Sequence, residues 1–221
     1  MLQKYDTELE QLSDFYTDLV TQHGCSPEGV QHKDLESQES RIKVLTGIGD
    51  LQRAKILDFG CGTGYLFDYL KTHCDFKGEY VGYDLSEKMV EVAANTYPEA
   101  RFEQRNILND GIPETFDYVL INGTFNNKLD DNWGLMTTLL SRLFAKTQRG
   151  IAFNALSTYI DFVNPGNYYV SPTDLFRYCK ENLSPSVTLR HDYEVKKGIV
   201  PFEYTLYVYS TDQEVRAERE I

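Results

Sequence analysis

The stretch Ile56-Leu57-Asp58-Phe59-Gly60-Cys61-Gly62-Thr63-Gly64 decides the fold of this chain. An apolar run ends in Asp58, and three glycines follow at alternate positions. The apolar spacing of residues 65–70 then predicts a helix. A strand, a glycine turn and a helix in this order bring bare backbone N–H groups to a ligand at the helix N-terminus. The predicted ligand-binding residues of the turn are Gly60, Cys61, Gly62 and Gly64.

A second apolar run, Tyr80–Asp84, also ends in an acid, 20 residues beyond Gly64. An acid at the end of the second strand of a doubly wound sheet is placed to bind the hydroxyls of a ribose. We therefore predict that Asp84, with Leu85 beside it, contacts a nucleoside. Ser86 is predicted to cap the next helix at its N-terminus.

The glycine spacing separates two classes of cofactor. A dinucleotide fingerprint needs a third glycine at position 65, which here is Tyr65. With Asp58 before the turn, residues 57–64 resemble the first motif of the class I S-adenosylmethionine-dependent methyltransferases, and the resemblance extends from about residue 40 to the C-terminus. It implies S-adenosyl-L-methionine as cofactor, no metal, and an α/β, doubly wound, Rossmann-like fold. The implied sheet has seven mostly parallel strands, the last of them antiparallel.

The resemblance also implies roles for single residues. Asp58 matches the acid near the amino group of the cofactor's methionine. Asn106 stands where many relatives have an aspartate that contacts the adenine, and its carbonyl oxygen still accepts a hydrogen bond. Ile107 is expected to pack on the adenine, and Asn122 to lie beside the reactive methyl.

Arg41 is the candidate partner of the cofactor's carboxylate, because a guanidinium grips a carboxylate with two parallel hydrogen bonds. It follows Gln38 by about one helical turn, so both share a face. The alternative is a solvated arginine that pairs with Glu36 or Asp34.

Candidate acceptor-binding residues follow the fourth and fifth predicted strands. They are Phe125, Asn126, Tyr159, Tyr168 and Tyr169. For Phe125 and Asn126, after the fourth strand, the alternative is an ordinary Asn-Gly turn. For the three tyrosines, after the fifth strand, the alternative is that they seal the edge of the core. His191 is a general-base candidate only if its strand end reaches the pocket. His191 and Asp192 cannot both face inward from one strand.

Charge and composition limit the function classes. The 221 residues carry 34 acids against 22 bases, a formal charge of −12, which argues against a nucleic-acid partner. The four cysteines lack metal-ligand spacing. The chain begins without a signal-peptide pattern, and no apolar run reaches the about 18 residues of a membrane span. We therefore expect a cytoplasmic protein that binds no membrane.

The pattern of elements predicts three segments. Residues 1–50 form an N-terminal helical cap segment, 51–211 the methyltransferase domain and 212–221 a charged tail. The two predicted N-terminal helices, 1–23 and 37–51, either cap the cofactor edge or cover a sheet edge. Further strands are predicted at 101–106, 116–122, 150–156, 186–194 and 202–210, with helices at 132–146 and 173–183.

The expected activity is methyl transfer to an oxygen or nitrogen of a small molecule or biosynthetic intermediate, by a monomer or homodimer. Residues 122–126 and 191–193 resemble the small stand-alone methyltransferases of bacterial biosynthetic clusters. A protein or peptide methyltransferase, and a protein that binds S-adenosylmethionine without turnover, remain open alternatives.

Overall fold

A computed structural model describes residues 2–24, 26, 34–196, 198–199 and 201–211. The predicted tail, 212–221, lies outside the described residues. The α-helices of the described part are α1 Asp6–His23, α2 Leu35–Leu45, α3 Tyr65–His73, α4 Glu87–Thr96, α5 Asn132–Phe144 and α6 Pro172–Asn182. Its strands are β1 Lys55–Phe59, β2 Glu79–Asp84, β3 Arg101–Gln104, β4 Phe116–Ile121, β5 Thr147–Ser157, β6 Tyr169–Val170, β7 Val187–Arg190 and β8 Glu203–Tyr209.

The main sheet has the strand order β3-β2-β1-β4-β5-β8-β7. Strands β1 to β5 are parallel, and β8 lies antiparallel between β5 and β7. The prediction of a mostly parallel seven-stranded sheet with an antiparallel last strand is confirmed. The short strand β6 pairs with the end of β5 and was not predicted, because its two residues lie within a loop rich in Asn, Gly and Tyr.

Local hydrogen bonds explain where several elements begin and end. The Ser86 hydroxyl accepts from the Met89 N–H at 3.2 Å, which confirms it as the cap of α4. Helix α2 begins at Leu35, two residues earlier than predicted, because the Asp34 carboxylate caps it through the Ser37 N–H at 2.8 Å. Strand β3 ends before Asn106 and β7 ends before His191, so both predicted strands were too long.

The two faces of the sheet carry separate apolar cores, as the alternation of side chains along a strand requires. One face presents Leu57, Val81 and Ile151 to a core that includes side chains of α5. The opposite face presents Ile56, Leu120 and neighbouring side chains to α2 and α3. Helix α1 lies against α4, beside the carboxyl ends of the first strands. Within the described residues we find no helix long and apolar enough to cross a membrane.

Candidate active site

A cavity of about 420 Å³ lies at the carboxyl ends of β1, β2 and β4. Its walls come from the glycine turn, the loops after β2, β3, β4 and β5, and the helices α1, α2 and α5. Ligands of open α/β sheets bind at this edge, where the order of the strands reverses. Here β1 leads to β2 on one side and lies next to β4 on the other. The cavity therefore occupies the expected ligand position.

The glycine turn is held closely against its neighbours. Gly60 has a φ of +77°, and a Cβ there would lie 2.3 Å from the Thr124 hydroxyl oxygen. Gly64 has a φ of +84° and begins α3 with no side-chain cap. Only glycine suits this combination of left-handed backbone and close approach. The Phe67 N–H donates to the Gly64 oxygen at 3.0 Å, and the N–H groups of Tyr65 and Leu66 remain for a ligand at the cavity wall.

Asp84 ties the glycine turn to the end of β2. One carboxylate oxygen accepts from the Gly62 N–H and the other from the Ser86 N–H, each at 2.9 Å. Burial raises the pKa of Asp84, and these backbone donors oppose that rise. Each oxygen keeps a second lone pair, so the carboxylate can also accept from ribose hydroxyls. Leu85 lines the cavity beside it.

Asp58 is 2% exposed and lines the cavity below the turn. Its carboxylate accepts from the Tyr80 hydroxyl at 2.6 Å. Burial raises the pKa of Asp58 to about 7, against the Tyr80 hydrogen bond, which lowers it. A cationic group in the cavity would favour the ionised form of this carboxylate.

The predicted adenine end is formed by Asn106 and Ile107, which both line the cavity. The Asn106 side-chain oxygen accepts from the Leu108 N–H at 3.0 Å, so it also shapes the turn that ends β3. Ile107 is 1% exposed. The Arg142 guanidinium donates to its backbone oxygen at 2.8 Å and connects this turn to α5.

Arg41 lines the cavity together with Gln38, as their shared helical face predicted. It also forms an ion pair that sequence reasoning did not foresee. The Arg41 Nε donates to the Glu203 carboxylate at 2.7 Å, and these side chains are 12% and 1% exposed. Glu203 begins β8, far along the sequence, and no local pattern indicated it.

The turn after β4 is fixed by a residue that sequence reasoning missed. Asn154, in β5, donates to the Asn122 side-chain oxygen and accepts from the Gly123 N–H, both at 2.7 Å. Asn154 is 1% exposed. Its signal in the sequence was a polar residue inside an otherwise apolar strand, since buried polar groups need partners. Asn122 lines the cavity on the side of β4.

Helix α1 covers part of this cavity. Leu9, Leu12, Ser13 and Tyr16 line it. The Tyr16 hydroxyl accepts from the Asn127 side-chain amide at 2.7 Å, and Thr17 shares a 2.7 Å hydrogen bond with Ser86. Burial raises the pKa of Tyr16 to about 12. Sequence reasoning placed Tyr16 only within the predicted helix of residues 1–23 and gave it no role in the site.

The predicted acceptor residues separate into two groups. Phe125 and Asn126 line the cavity. The described lining does not include Tyr159, Tyr168, Tyr169 or His191. Tyr159 is 61% exposed, Tyr168 packs against the core, and the Tyr169 hydroxyl accepts from the Asn164 N–H at 2.9 Å.

His191 follows β7 rather than lying within it. A ring nitrogen, Nε2, lies 3.2 Å from the backbone oxygen of Pro201. The ring also contacts Tyr159 and Tyr204. The condition set for a general base, that the strand end should reach the pocket, is therefore not met among the described residues.

The fold and the site together define a class: a doubly wound sheet whose carboxyl edge carries a glycine turn, the buried Asp58 and the half-buried Asp84. A family model described as "Methyltransferase domain" matches residues 56–146. Over 159 residues the chain is 37% identical to "Putative methyltransferase Rv1506c" of Mycobacterium tuberculosis. The match covers 69% of this chain and 91% of that relative. The chain belongs to the class I S-adenosylmethionine-dependent methyltransferases, and S-adenosyl-L-methionine is its cofactor.

Solved structures share the fold. The DhpI–SAM–HEP complex has a TM-score of 0.65 at 15% identity and covers 90% of this chain and 95% of that chain. Magnesium protoporphyrin IX methyltransferase from Synechocystis PCC 6803, with bound SAH, has a TM-score of 0.61 at 16% identity. The match covers 80% of this chain and 83% of that chain. At these identities the likeness concerns the fold.

Proposed function

We propose that this methyltransferase transfers the methyl group of S-adenosyl-L-methionine to an oxygen or nitrogen of a small-molecule acceptor. The observation that carries the proposal is the cover over the β4 side of the cavity. The Tyr16 hydroxyl of α1 binds the side chain of Asn127 at 2.7 Å. Asn127 also forms a backbone bridge with Asn167. A cavity closed by three chain segments suits a metabolite or biosynthetic intermediate better than a polymer.

In this proposal, different residues of the cavity bind different parts of the cofactor. The glycine turn and Asp84 hold the ribose side, and Asn106 and Ile107 the adenine. Asp58 takes the methionine amino group, and Arg41 its carboxylate. Asp58 and Ile107 are buried, and Arg41, Asp84 and Asn106 are half-buried. This supports the assignment, since charges removed from water need charged or hydrogen-bonded partners.

The protein's main contribution is alignment. When bound, the cofactor supplies an activated methyl group on a sulfonium. The chain holds donor and acceptor in line, and positioning alone can lower a barrier by about 7–11 kcal/mol at its upper end. The hydrogen bonds that fix Asn122 through Asn154 support such a role for the turn after β4.

We further propose a cytoplasmic setting without a nucleic-acid partner. The described cysteines, Cys61, Cys74 and Cys179, are free thiols, as expected in a reducing compartment. The formal charge of −12 disfavours approach to phosphate backbones.

A peptide methyltransferase would be favoured by an acidic groove beside the loop after β5. One acidic cavity of the described residues, lined by Asp6, Glu10 and Asp14, lies next to Asn106 and Gln104 at the proposed adenine end. Its position therefore does not favour a basic peptide beside the methyl group.

The experiment uses S-adenosyl-L-methionine labelled on the methyl group and a cell extract separated into a small-molecule filtrate and a protein retentate. We expect label to enter the filtrate with the native protein. Asp84→Asn, which in this proposal removes a carboxylate acceptor for the ribose hydroxyls, is expected to abolish that transfer. Label found only in the retentate contradicts the small-molecule proposal, and cofactor binding without any transfer indicates a non-catalytic protein.

A further inference from the structure

Charge is distributed unevenly along the wall of the cavity. The charged side chains of its described lining are Arg41, Asp58, Asp84 and Arg105. They come from α2 and from the ends of β1, β2 and β3, which is the cofactor half. The half formed by the loops after β4 and β5 has no charged side chain in the described lining and presents apolar side chains, such as Phe125 and Leu129, together with six carboxamides. These are Asn122, Asn126, Asn127, Asn132, Asn164 and Asn167.

Several of these amides are held in place by hydrogen bonds. Asn122 accepts from Asn154 at 2.7 Å, and the Asn132 amide donates to the backbone oxygen of Asn127 at 2.8 Å. Asn127 in turn donates to the Tyr16 hydroxyl at 2.7 Å. Side chains fixed in this way form a preorganised polar wall rather than a solvated surface.

Asn126 has an unmet requirement for a hydrogen bond. Its side-chain oxygen is buried and has no hydrogen-bond partner among the described residues. Its backbone is fixed, because its oxygen accepts from the Tyr168 N–H at 2.8 Å and its N–H donates to Gly123 at 3.3 Å. A buried carbonyl oxygen without a donor is costly, so a ligand that donates a hydrogen bond is favoured at this point.

We propose that the acceptor is uncharged and rich in hydroxyl groups, such as a sugar or another polyol, and that it is methylated at a hydroxyl oxygen. The inference rests on the proposed function and specifies its substrate. A carboxamide both donates and accepts, as a hydroxyl does, so a wall of amides complements several hydroxyls at once. A cationic amine or an anionic group would be buried here without a counter-charge from the lining.

The reaction balances without a further reactant. The hydroxyl oxygen forms a bond to the methyl carbon while the carbon–sulfur bond breaks. The electron pair of that bond stays on sulfur and neutralises the sulfonium. The hydroxyl proton leaves to water.

The test uses three probes that differ only at carbon 6: glucose, glucuronate and 6-amino-6-deoxyglucose. Calorimetry first establishes that the protein binds S-adenosylhomocysteine, and saturation-transfer NMR then measures each sugar on the loaded protein. We expect glucose to give a signal at least about tenfold above both charged probes, because the acceptor half of the cavity offers the charged groups no counter-charge. If a charged probe gives the same signal as glucose, or if none of the three probes gives a signal on the loaded protein, this inference is overturned while the proposed function stands. Failure to bind S-adenosylhomocysteine overturns the proposed function as well.

Asn126→Asp provides a matched change of charge. It replaces the amide, whose oxygen lacks a partner among the described residues, by a carboxylate of the same shape. We expect the amino sugar to gain signal while glucose loses it. Asn95→Asp is the control, since Asn95 is exposed on α4 and the variant carries the same added charge. Melting curves confirm that both variants fold. An unchanged ranking of the probes in folded Asn126→Asp would show that Asn126 does not face the acceptor and would refute the inference.

Discussion

Arg41 and Glu203 are 162 positions apart in the sequence, and their side chains form a 2.7 Å ion pair at the edge of the cavity. The pair joins α2 to the start of β8. Burial raises the pKa of Glu203, and the Arg41 charge opposes that rise. The Arg41 charge therefore favours the ionised form of the buried Glu203 carboxylate.

Removal of Glu203 is expected to destabilise the fold. Glu203→Ala leaves the Arg41 guanidinium largely buried without its carboxylate, so the free energy of unfolding should fall by about 3–5 kcal/mol. Urea denaturation measures this change. The control is Asp192→Asn, which breaks a surface pair with Arg190 and should alter stability by about 1 kcal/mol or less. Equal losses in both variants would contradict a buried role for the pair.

A double replacement separates the structural role of Arg41 from its proposed role in cofactor binding. Arg41→Met combined with Glu203→Leu removes both charges together, and such apolar pairs are often as stable as the ion pair they replace. We expect near-native stability but S-adenosylmethionine binding weaker by about tenfold or more, for the loss of a charged hydrogen bond of about 1.5–3 kcal/mol. Calorimetry that finds native affinity would remove Arg41 from the site.

Asp58 predicts a pH dependence of both stability and binding. Its pKa rises from 3.8 to about 7 on folding, so the folded protein keeps a proton that the unfolded chain releases. Its contribution therefore lowers the stability of the ligand-free protein as pH rises from about 4 to about 7. Cationic S-adenosylmethionine favours the carboxylate, so affinity should increase as pH rises through about 7.

Asp58→Asn is the matched variant for this pH dependence, because its amide oxygen can still accept from the Tyr80 hydroxyl. We expect its ligand-free stability to vary less with pH in that interval, and its cofactor affinity to be flat near pH 7. Calorimetry and melting curves at several pH values provide the measurement. A native pH profile in this variant would assign the titration to another group.

Tyr16→Phe tests whether α1 closes the cavity. The change removes the hydroxyl that accepts from Asn127, a hydrogen bond whose net contribution is about 0.5–1.5 kcal/mol. We expect faster cofactor release and affinity lower by up to about tenfold, with the fold retained. Stopped-flow fluorescence measures the release rate. Tyr159→Phe, at an exposed ring, is the control, and identical rates in the two variants would argue against the closure.

His191→Gln is expected to change turnover by less than about threefold, since a general base must reach the acceptor and its removal typically lowers rates by about a hundredfold or more. His191 instead lies against the backbone oxygen of Pro201. The assay is product formation over a range of pH values. A loss of a hundredfold with a native melting temperature would restore His191 as a base.

The sequence supported the cofactor half of the site better than the acceptor half. Asp58, Gly60 and Asp84 belong to one strand–turn–helix motif and to the next strand, so spacing alone placed them at one edge. The tyrosines after β5 were candidate acceptor-binding residues, but Tyr159, Tyr168 and Tyr169 lie outside the described lining. Composition shows that a loop is aromatic, whereas the direction of each ring depends on packing.

Local order along the chain was enough to determine the sheet, the glycine turn and the two acids of this methyltransferase, because strand periodicity and backbone sterics act between near neighbours. Only the tertiary structure decided which partners meet across the sheet: Glu203 with Arg41, Asn154 with Asn122, and Tyr16 with Asn127. Such pairs depend on burial and on the need of every buried polar group for a partner, and they are chosen among residues that the sequence keeps far apart.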